Sequence, residues 1–287
     1  MRQAALLGLA PSAEHVEKVI RFIGLLAEAD VDIVVDEELL SKLLASGELL
    51  RELNSFTGTV PATADYVVCF GGDGTLLRSV HRLPSLDVPV LTVNSGHLGF
   101  LTDSNCDEAI RYIDRLLVDN PSIEERNLLE VTDGGAFFTT ALNEIAVQKR
   151  ETGSMISIQT NIDDHYLGDY NADGLIIATP SGSTAYSLSV GGPIVYPRCP
   201  VVVLTPIAPH SLNMRPIVVP DDVTIRLRIK SRSSTYMAAV DGVMSVFTTD
   251  TPLTIRKHTQ KLKIIRLSSH PFSETIRNKL LWGKNLR

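Results

Sequence analysis

Hydrophobic positions along the chain change period once, near residue 125. Before that point, strand-like and helix-like runs alternate. Residues 4–9 read as a strand. Val16, Val19, Ile20, Ile23, Leu26 and Ala27 then recur at helical spacing. Residues 31–35 predict a second strand and 37–44 a short helix. The run Tyr66-Val67-Val68-Cys69-Phe70 is apolar on both faces, as a strand buried in a parallel sheet must be. Residues 75–83 are again helical, with Leu76, Val80 and Leu83 on one side. A strand at 88–93 and a helix at 107–118 follow, the latter aligning Ile110, Ile113 and Leu117. Strand and helix in alternation predict a parallel sheet covered by helices.

Beyond Arg126 the period becomes two. Residues 223–230 alternate apolar and polar without exception. Asp133-Gly134-Gly135 and Asp163-Asp164 look like turns between such runs. Helical spacing returns only at 272–281. The predicted fold is therefore an α/β N-terminal domain with a parallel sheet plus an all-β, sandwich-like C-terminal domain. The last helix is expected to return to the first domain. The boundaries read as 1–125 with 270–287 for the first domain and 126–269 for the second.

Composition narrows the function classes. The chain has 287 residues, 33 acidic against 27 basic, for a formal net charge of -6. That balance disfavours nucleic acid as a partner, because a phosphate backbone asks for a dense Lys/Arg surface. It leaves room for a small anionic substrate met locally by backbone N–H groups. No apolar stretch reaches the roughly 18 residues that would cross a bilayer, so no membrane partner is expected. The three cysteines, Cys69, Cys106 and Cys199, show no CxxC spacing. Cys69 reads as a core residue. A reduced, cytoplasmic setting is the expectation.

Candidate chemistry lies in four segments. Gly71-Gly72-Asp73-Gly74-Thr75 sits between the buried strand and the helix that follows it. Glycines and helix-start N–H groups suit a phosphate. A carboxylate in such a loop repels phosphate unless it binds a metal or takes a proton. Asp73 therefore points to phosphoryl transfer, as base or metal ligand. The Walker pattern GxxxxGK[ST] is absent. Arg78, one turn into the helix, either reaches a phosphate or is a solvated surface arginine, and Arg82 reads as surface. The second segment is Asn94-Ser95-Gly96-His97-Leu98-Gly99-Phe100-Leu101-Thr102-Asp103. Phe100 offers an aromatic face to a base or nicotinamide ring, or is a core phenylalanine. His97 has no visible partner and is assigned no chemistry.

The third segment is Asn143-Glu144. Its donor and acceptor set suits a ribose diol, though on local sequence a solvent-facing edge is the better reading. The fourth runs from Asp173-Gly174 through Thr179-Pro180-Ser181-Gly182-Ser183-Thr184-Ala185-Tyr186-Ser187-Leu188-Ser189 to Gly191-Gly192-Pro193. Here a buried strand enters a loop dense in hydroxyls. GxSxG is not matched, and no His/Asp pair can be placed around Ser183, so a serine hydrolase is set aside.

GGDGT, NSGHLGFLTD, NE, DGLIIATPSGSTAYSLSVGGPI and HSLNMRPIVVP occur in this order from about Tyr66 to Asp241-Gly242, and the tail FSETIRNKLLWG adds to them. In these motifs the chain resembles the NAD kinase family. The first 60 residues show little of the likeness beyond an α/β pattern. The resemblance implies phosphorylation of the adenosine 2′-hydroxyl of NAD by ATP, or another phosphoryl donor, with Mg²⁺ or Mn²⁺. It also implies a homodimer or homotetramer. Carried over by motif, Asp73 is the proton acceptor and Gly74 a dinucleotide contact. Asn143, Glu144, Asp173, Thr184, Ala185, Tyr186, Ser187, Leu188, Ser189 and Ala208 bind NAD, with Ser181 and Phe100 as neighbours. Gly71, Gly72, Gly74 and Thr75 form the phosphate loop. Asn171 stands where several bacterial members carry Arg, a position tied to discrimination between NAD and NADH. Val243 replaces a polar residue seen in some relatives. The alternative is a lipid kinase of the diacylglycerol/sphingosine type, which shares GGDGT but has no counterpart of TPSGSTAY.

Overall fold

A computed structural model describes residues 2–10, 12–47, 52–94, 99–102, 104–118, 121–151, 155–267 and 271–283. His97 lies outside the described residues, as do Ser95, Gly96, Leu98 and Asp103. The chain divides into two compact units, Met1–Glu125 with Leu262–Arg287, and Arg126–Lys261. No helix among the described residues is long and apolar enough to cross a membrane.

The first unit holds β1 (Gln3–Gly8), α1 (Ala13–Glu28), β2 (Asp32–Asp36), α2 (Glu37–Ala45), β3 (Asn54–Phe56), β4 (Tyr66–Phe70), α3 (Asp73–Val80), β5 (Val90–Asn94), β6 (Ser104–Asn105), α4 (Cys106–Arg111) and α5 (Ile113–Leu116). Its sheet runs β3-β2-β1-β4-β5, every pairing parallel. All five residues of β4 are buried, which explains the apolar run on both faces. Phe22 of α1 meets Phe70 of β4 edge to face at 5.7 Å. Leu6, Val19, Ile23, Leu26 and Leu91 close the same core.

Two expectations change here. The single helix predicted over 107–118 is two short ones, broken at Tyr112, whose φ of -108° and ψ of 22° are not helical. The start of α4 is fixed by a capping box, in which Asn105 Oδ1 accepts from the Glu108 N–H at 2.9 Å. Arg82 is not a free surface residue. It is half-buried, ion-paired with the buried Asp36, donates to the Gly58 carbonyl at 2.6 Å and lies over the Phe56 ring. The aspartate, shielded from water at the end of β2, needs that partner.

The second unit begins within β7 (Ile123–Thr132) and continues through β8 (Phe138–Ala141), β9 (Glu144–Lys149), β10 (Ile156–Ile162), β11 (His165–Ala172) and β12 (Gly174–Ala178). A 3-10 turn at Gly182–Thr184 and α6 (Tyr186–Ser189) interrupt the strands. Then come β13 (Val201–Ile207), β14 (Ile217–Pro220), β15 (Ile225–Lys230), β16 (Thr235–Val240), β17 (Val243–Thr248) and β18 (Leu253–Ile265). One antiparallel sheet has the order β14-β13-β12-β9-β16-β17. The other pairs β11, β10, β15 and the first part of β18, with β7 and β8 beside them. Their facing residues make one core, including Val147, Ile158, Leu175, Ile177, Leu227 and Tyr236. Along β15, Ile225, Leu227 and Ile229 are buried and the intervening residues exposed, which is the alternation seen in the sequence. β12 is buried on both faces because Ile176 and Ala178 meet Val190 and Val195 from the loop beyond it.

The end of β18 lies in the first unit, where Ile264 and Ile265 run parallel to Val90 and Leu91. α7 (Phe272–Lys279) follows in the same unit, so the terminal helix does return to the α/β fold.

Candidate active site

Asp73 is the first residue of α3, directly after the buried strand β4 and the two glycines that leave it. Its carboxylate is held by the loop after β5. Phe100 N–H donates to Oδ2 at 2.8 Å. Leu101 N–H and Thr102 N–H donate to Oδ1 at 3.1 and 3.0 Å, and Thr102 Oγ1 adds a fourth bond to Oδ1 at 2.9 Å. The Gly99 N–H bonds the Thr102 carbonyl at 2.8 Å, closing the turn that points three successive N–H groups inward. Only glycine fits there, since a Cβ at position 99 would stand 1.9 Å from Asp73 Oδ1 and 2.2 Å from Thr102 Oγ1. Gly99→Ala should therefore displace the carboxylate and lower kcat by about tenfold while the chain still folds. An unchanged kcat in a soluble variant would show that the fit of this loop does not matter to turnover.

The glycine loop before α3 is open at its end. Gly74 is exposed, and the first N–H groups of a helix have no partner within it. Thr75 N–H bonds back to the Gly72 carbonyl at 2.9 Å. Arg78 is exposed and bends back so that its guanidinium lies 3.5 Å from Thr75 Oγ1. Phe100 is half-buried and its ring is engaged by α7: Phe272 lies 6.4 Å away and the Lys279 ammonium 4.7 Å above it.

In the second unit the structure corrects the reading of Asn143-Glu144 as a solvent-facing edge. β9 is a central strand between β12 and β16, and Asn143 just before it is only 7% exposed. Strand order decides this, and strand order is not written in the local sequence. Thr179 fixes the corner, its N–H bonding the Asn143 carbonyl at 2.8 Å and its hydroxyl the Leu142 carbonyl at 2.6 Å. Asp241 was not singled out as a site residue. Its carboxylate accepts the N–H groups of Leu142, Asn143 and Glu144 at 2.7, 2.8 and 3.0 Å. Asp241-Gly242 is the two-residue turn joining β16 to β17, with φ of 45° and 85°. The dipeptide is a hairpin marker that the sequence did carry.

These clamps leave two side-chain oxygens without a partner among the described residues, the buried Asn143 Oδ1 and Glu144 Oε2. Buried acceptors of this kind are rare unless a ligand completes them. Burial, and then the like charge of Asp241, push the Glu144 carboxyl up to about 7, against the pull of the Tyr186 N–H.

The loop beyond β12 packs against this corner. A Cβ on Gly182 would stand 2.1 Å from the Asn143 carbonyl oxygen. Gly182→Ala should cost about 1–3 kcal/mol of stability, seen as a lower midpoint in thermal unfolding. A midpoint equal to that of the unmodified chain would contradict this packing. Ser181 is buried and its Oγ accepts from the buried Arg126 at 3.3 Å, a guanidinium that sequence reasoning did not place here. Ser183 Oγ donates to the Pro180 carbonyl at 2.7 Å and accepts the Val195 N–H at 3.0 Å, so it is occupied structurally. Ser187 is likewise buried, with its hydroxyl 2.8 Å from Thr205 Oγ1. Thr184 donates to the Ser181 carbonyl at 3.2 Å. Thr184, Ala185 and Leu188 are half-buried, while Tyr186 and Ser189 are exposed. Asp173 forms an ion pair with Lys149 at 2.6 Å. Ala208 is exposed at the end of β13 with φ of 44°. Asn171 is exposed on β11, and its carbonyl accepts the His210 N–H at 2.9 Å. Val243 is 62% exposed.

Among the described residues no three His, Cys, Asp or Glu side chains converge on a point that could hold a metal ion.

The model of the ATP-NAD kinase N-terminal domain matches residues 12–120, and that of the ATP-NAD kinase C-terminal domain matches residues 142–267. The chain belongs to the NAD kinase family. The match from residue 12 extends the likeness well above Tyr66, where the sequence motifs begin. An NAD kinase of Porphyromonas gingivalis is 47% identical over 288 residues, covering 100% of both chains. Among solved structures, yeast NADH kinase complexed with NADH is 26% identical with a TM-score of 0.85, covering 100% of this chain and 89% of that one. An NAD kinase from Archaeoglobus fulgidus in complex with ATP shares the fold at 24% identity, with a TM-score of 0.72 and coverage of 98% and 97%. As a member of the NAD kinase family the chain is a phosphotransferase that phosphorylates NAD. The lipid-kinase alternative gains no support from these matches.

Proposed function

We propose that Asp73 accepts the proton of the adenosine 2′-hydroxyl as that oxygen attacks the terminal phosphorus of ATP, giving NADP. What supports this most directly is the carboxylate itself, held by four hydrogen bonds at the junction of β4 and α3. A ribose hydroxyl is a poor nucleophile at neutral pH, and a fixed acceptor contributes about 10²–10⁴ in rate. The N–H groups of Gly72 and Gly74 at the start of α3 bind donor phosphate, Gly71 and Thr75 shape the loop through their own N–H bonds to the Val93 and Gly72 carbonyls, and Arg78 adds charge beside them. Asn143 and Glu144 bind the dinucleotide through the two acceptors left without partners. Ser181, Thr184, Ala185, Tyr186, Ser187, Leu188, Ser189, Asp173, Ala208 and Phe100 complete the contacts. Ser187 contributes mainly by shape, because its hydroxyl is bonded to Thr205.

A divalent ion, Mg²⁺ or Mn²⁺, travels with ATP in this reading and neutralises phosphate charge. Such an ion is held mostly by phosphate oxygens and needs no protein cage. ATP is the donor that the family description names. A cytoplasmic setting and a homodimer or homotetramer belong to the same reading.

The test is an assay of the purified chain with ATP, Mg²⁺ and either NAD or NADH, with diacylglycerol and sphingosine as controls. NADP formation without lipid phosphorylation is expected. Lipid phosphorylation without NADP formation would overturn the reading.

A further inference from the structure

The two oxygens of Asp73 are not equivalent. Oδ1 accepts three hydrogen bonds, from Leu101 N–H, Thr102 N–H and Thr102 Oγ1, at 2.9 to 3.1 Å. Oδ2 accepts one, from Phe100 N–H at 2.8 Å. A carboxylate oxygen has two lone pairs in its plane, so three donors saturate Oδ1 while Oδ2 keeps a free lone pair. From this asymmetry we infer that Thr102 is a positioning residue, locking Oδ1 so that Oδ2 is the oxygen that takes the substrate proton. The inference rests on Asp73 being the base.

Thr102 is built for this task. It is fully buried, and it meets Oδ1 with both its N–H and its hydroxyl, so one residue fixes the carboxylate from two directions. The turn that carries it is closed by Gly99 N–H on the Thr102 carbonyl at 2.8 Å and braced by Thr92 Oγ1 on the Leu101 carbonyl at 3.2 Å. A charge-assisted hydroxyl bond is among the stronger kinds of hydrogen bond. Without it the backbone N–H groups of Phe100, Leu101 and Thr102 still hold the carboxylate, but its plane turns more freely about the Cβ–Cγ bond and the lone pair on Oδ2 is less sharply aimed. Proton balance is simple. The O–H bond of the acceptor hydroxyl breaks, its proton passes to Oδ2, and the freed electron pair forms the new P–O bond. The bond from phosphorus to the bridging oxygen breaks, and ADP leaves with that pair.

The experiment compares Thr102→Val, Thr102→Ser and Thr102→Ala in the full chain, alone and combined with Asp73→Asn. Thr102→Val should lower kcat about tenfold to a hundredfold with KM for NAD within about twofold. Thr102→Ser should recover most of kcat. In the Asp73→Asn background, Thr102→Val should add no further loss, because there is no base left to orient. Thr102→Ala serves as the second probe should the valine variant not fold. Full kcat in Thr102→Val or Thr102→Ala would overturn the inference, as would a fully additive loss with Asp73→Asn. If Asp73→Asn itself keeps full turnover, the assignment of the base fails instead, so the two failures are distinguishable.

Discussion

Asp73→Asn should lower kcat by about 10²–10⁴ while NAD binding is kept within a few fold. Asparagine has nearly the same shape and can accept the three bonds now made to Oδ1 through its amide oxygen, losing only the one from Phe100 N–H. Four donors surround the carboxylate, three of them on Oδ1, and the one on Oδ2 comes from Phe100 N–H. An amide whose oxygen takes the place of Oδ1 turns its NH₂ group toward the substrate, and that group has no lone pair with which to take a proton. The fold of the loop survives and the chemistry does not. Initial-rate kinetics with NAD, together with calorimetric titration of NAD, separate the two effects. A variant with near-normal kcat would remove Asp73 from the chemical step.

Glu144→Gln should change both substrate affinity and the dependence of stability on pH. The carboxyl is pushed up to about 7 from its ordinary 4.5 by burial and by the charge of Asp241. Between those values the folded chain binds more protons at this group than the unfolded chain does. Stability therefore falls as pH rises through that window. The favourable contribution is complete below the unfolded value and lost above the folded one. At pH 8 the ionised, poorly solvated carboxylate should cost about 3 kcal/mol. Glutamine carries no such cost, so the variant should gain on the unmodified chain by up to about 3 kcal/mol between pH 5 and pH 8 in urea unfolding. A difference that does not vary with pH would contradict the buried setting of Glu144. Its Oε2 has no partner among the described residues, so its proposed task is to accept a ribose hydroxyl. KM for NAD should rise about tenfold with kcat nearly kept. An unchanged KM would place Glu144 outside the dinucleotide site.

These two residues also show how far the sequence can be read unaided. Asp73 was legible because its neighbours in sequence are its neighbours in space. A run apolar on both faces, two glycines and a helix start are contiguous, and the structure keeps them as β4, Gly71, Gly72 and α3. The alternation in β15 was legible for the same local reason. Glu144 was legible as a candidate from a donor and acceptor set that suits a ribose diol, but its burial was not. Its burial depends on β9 lying between β12 and β16, which are separated from it by tens of residues. Asp241 acts on N–H groups about a hundred residues away, so no local pattern announces it. Arg82 and Asp36 were missed as a pair on the same principle, being 46 residues apart. The break at Tyr112 is different in kind. Ile110, Ile113 and Leu117 keep helical spacing through it, so periodicity alone carries the eye past a turn.

The most direct measurement is the distance from Asp73 Oδ2 to the adenosine 2′-oxygen in a crystal structure of this chain with NAD and a non-hydrolysable ATP analogue. A direct contact of about 2.6–3.2 Å, or one bridging water within that distance of both oxygens, is expected. The 2′-oxygen lying out of reach of that carboxylate, with a different side chain bonded to it in the ternary complex, would contradict the account.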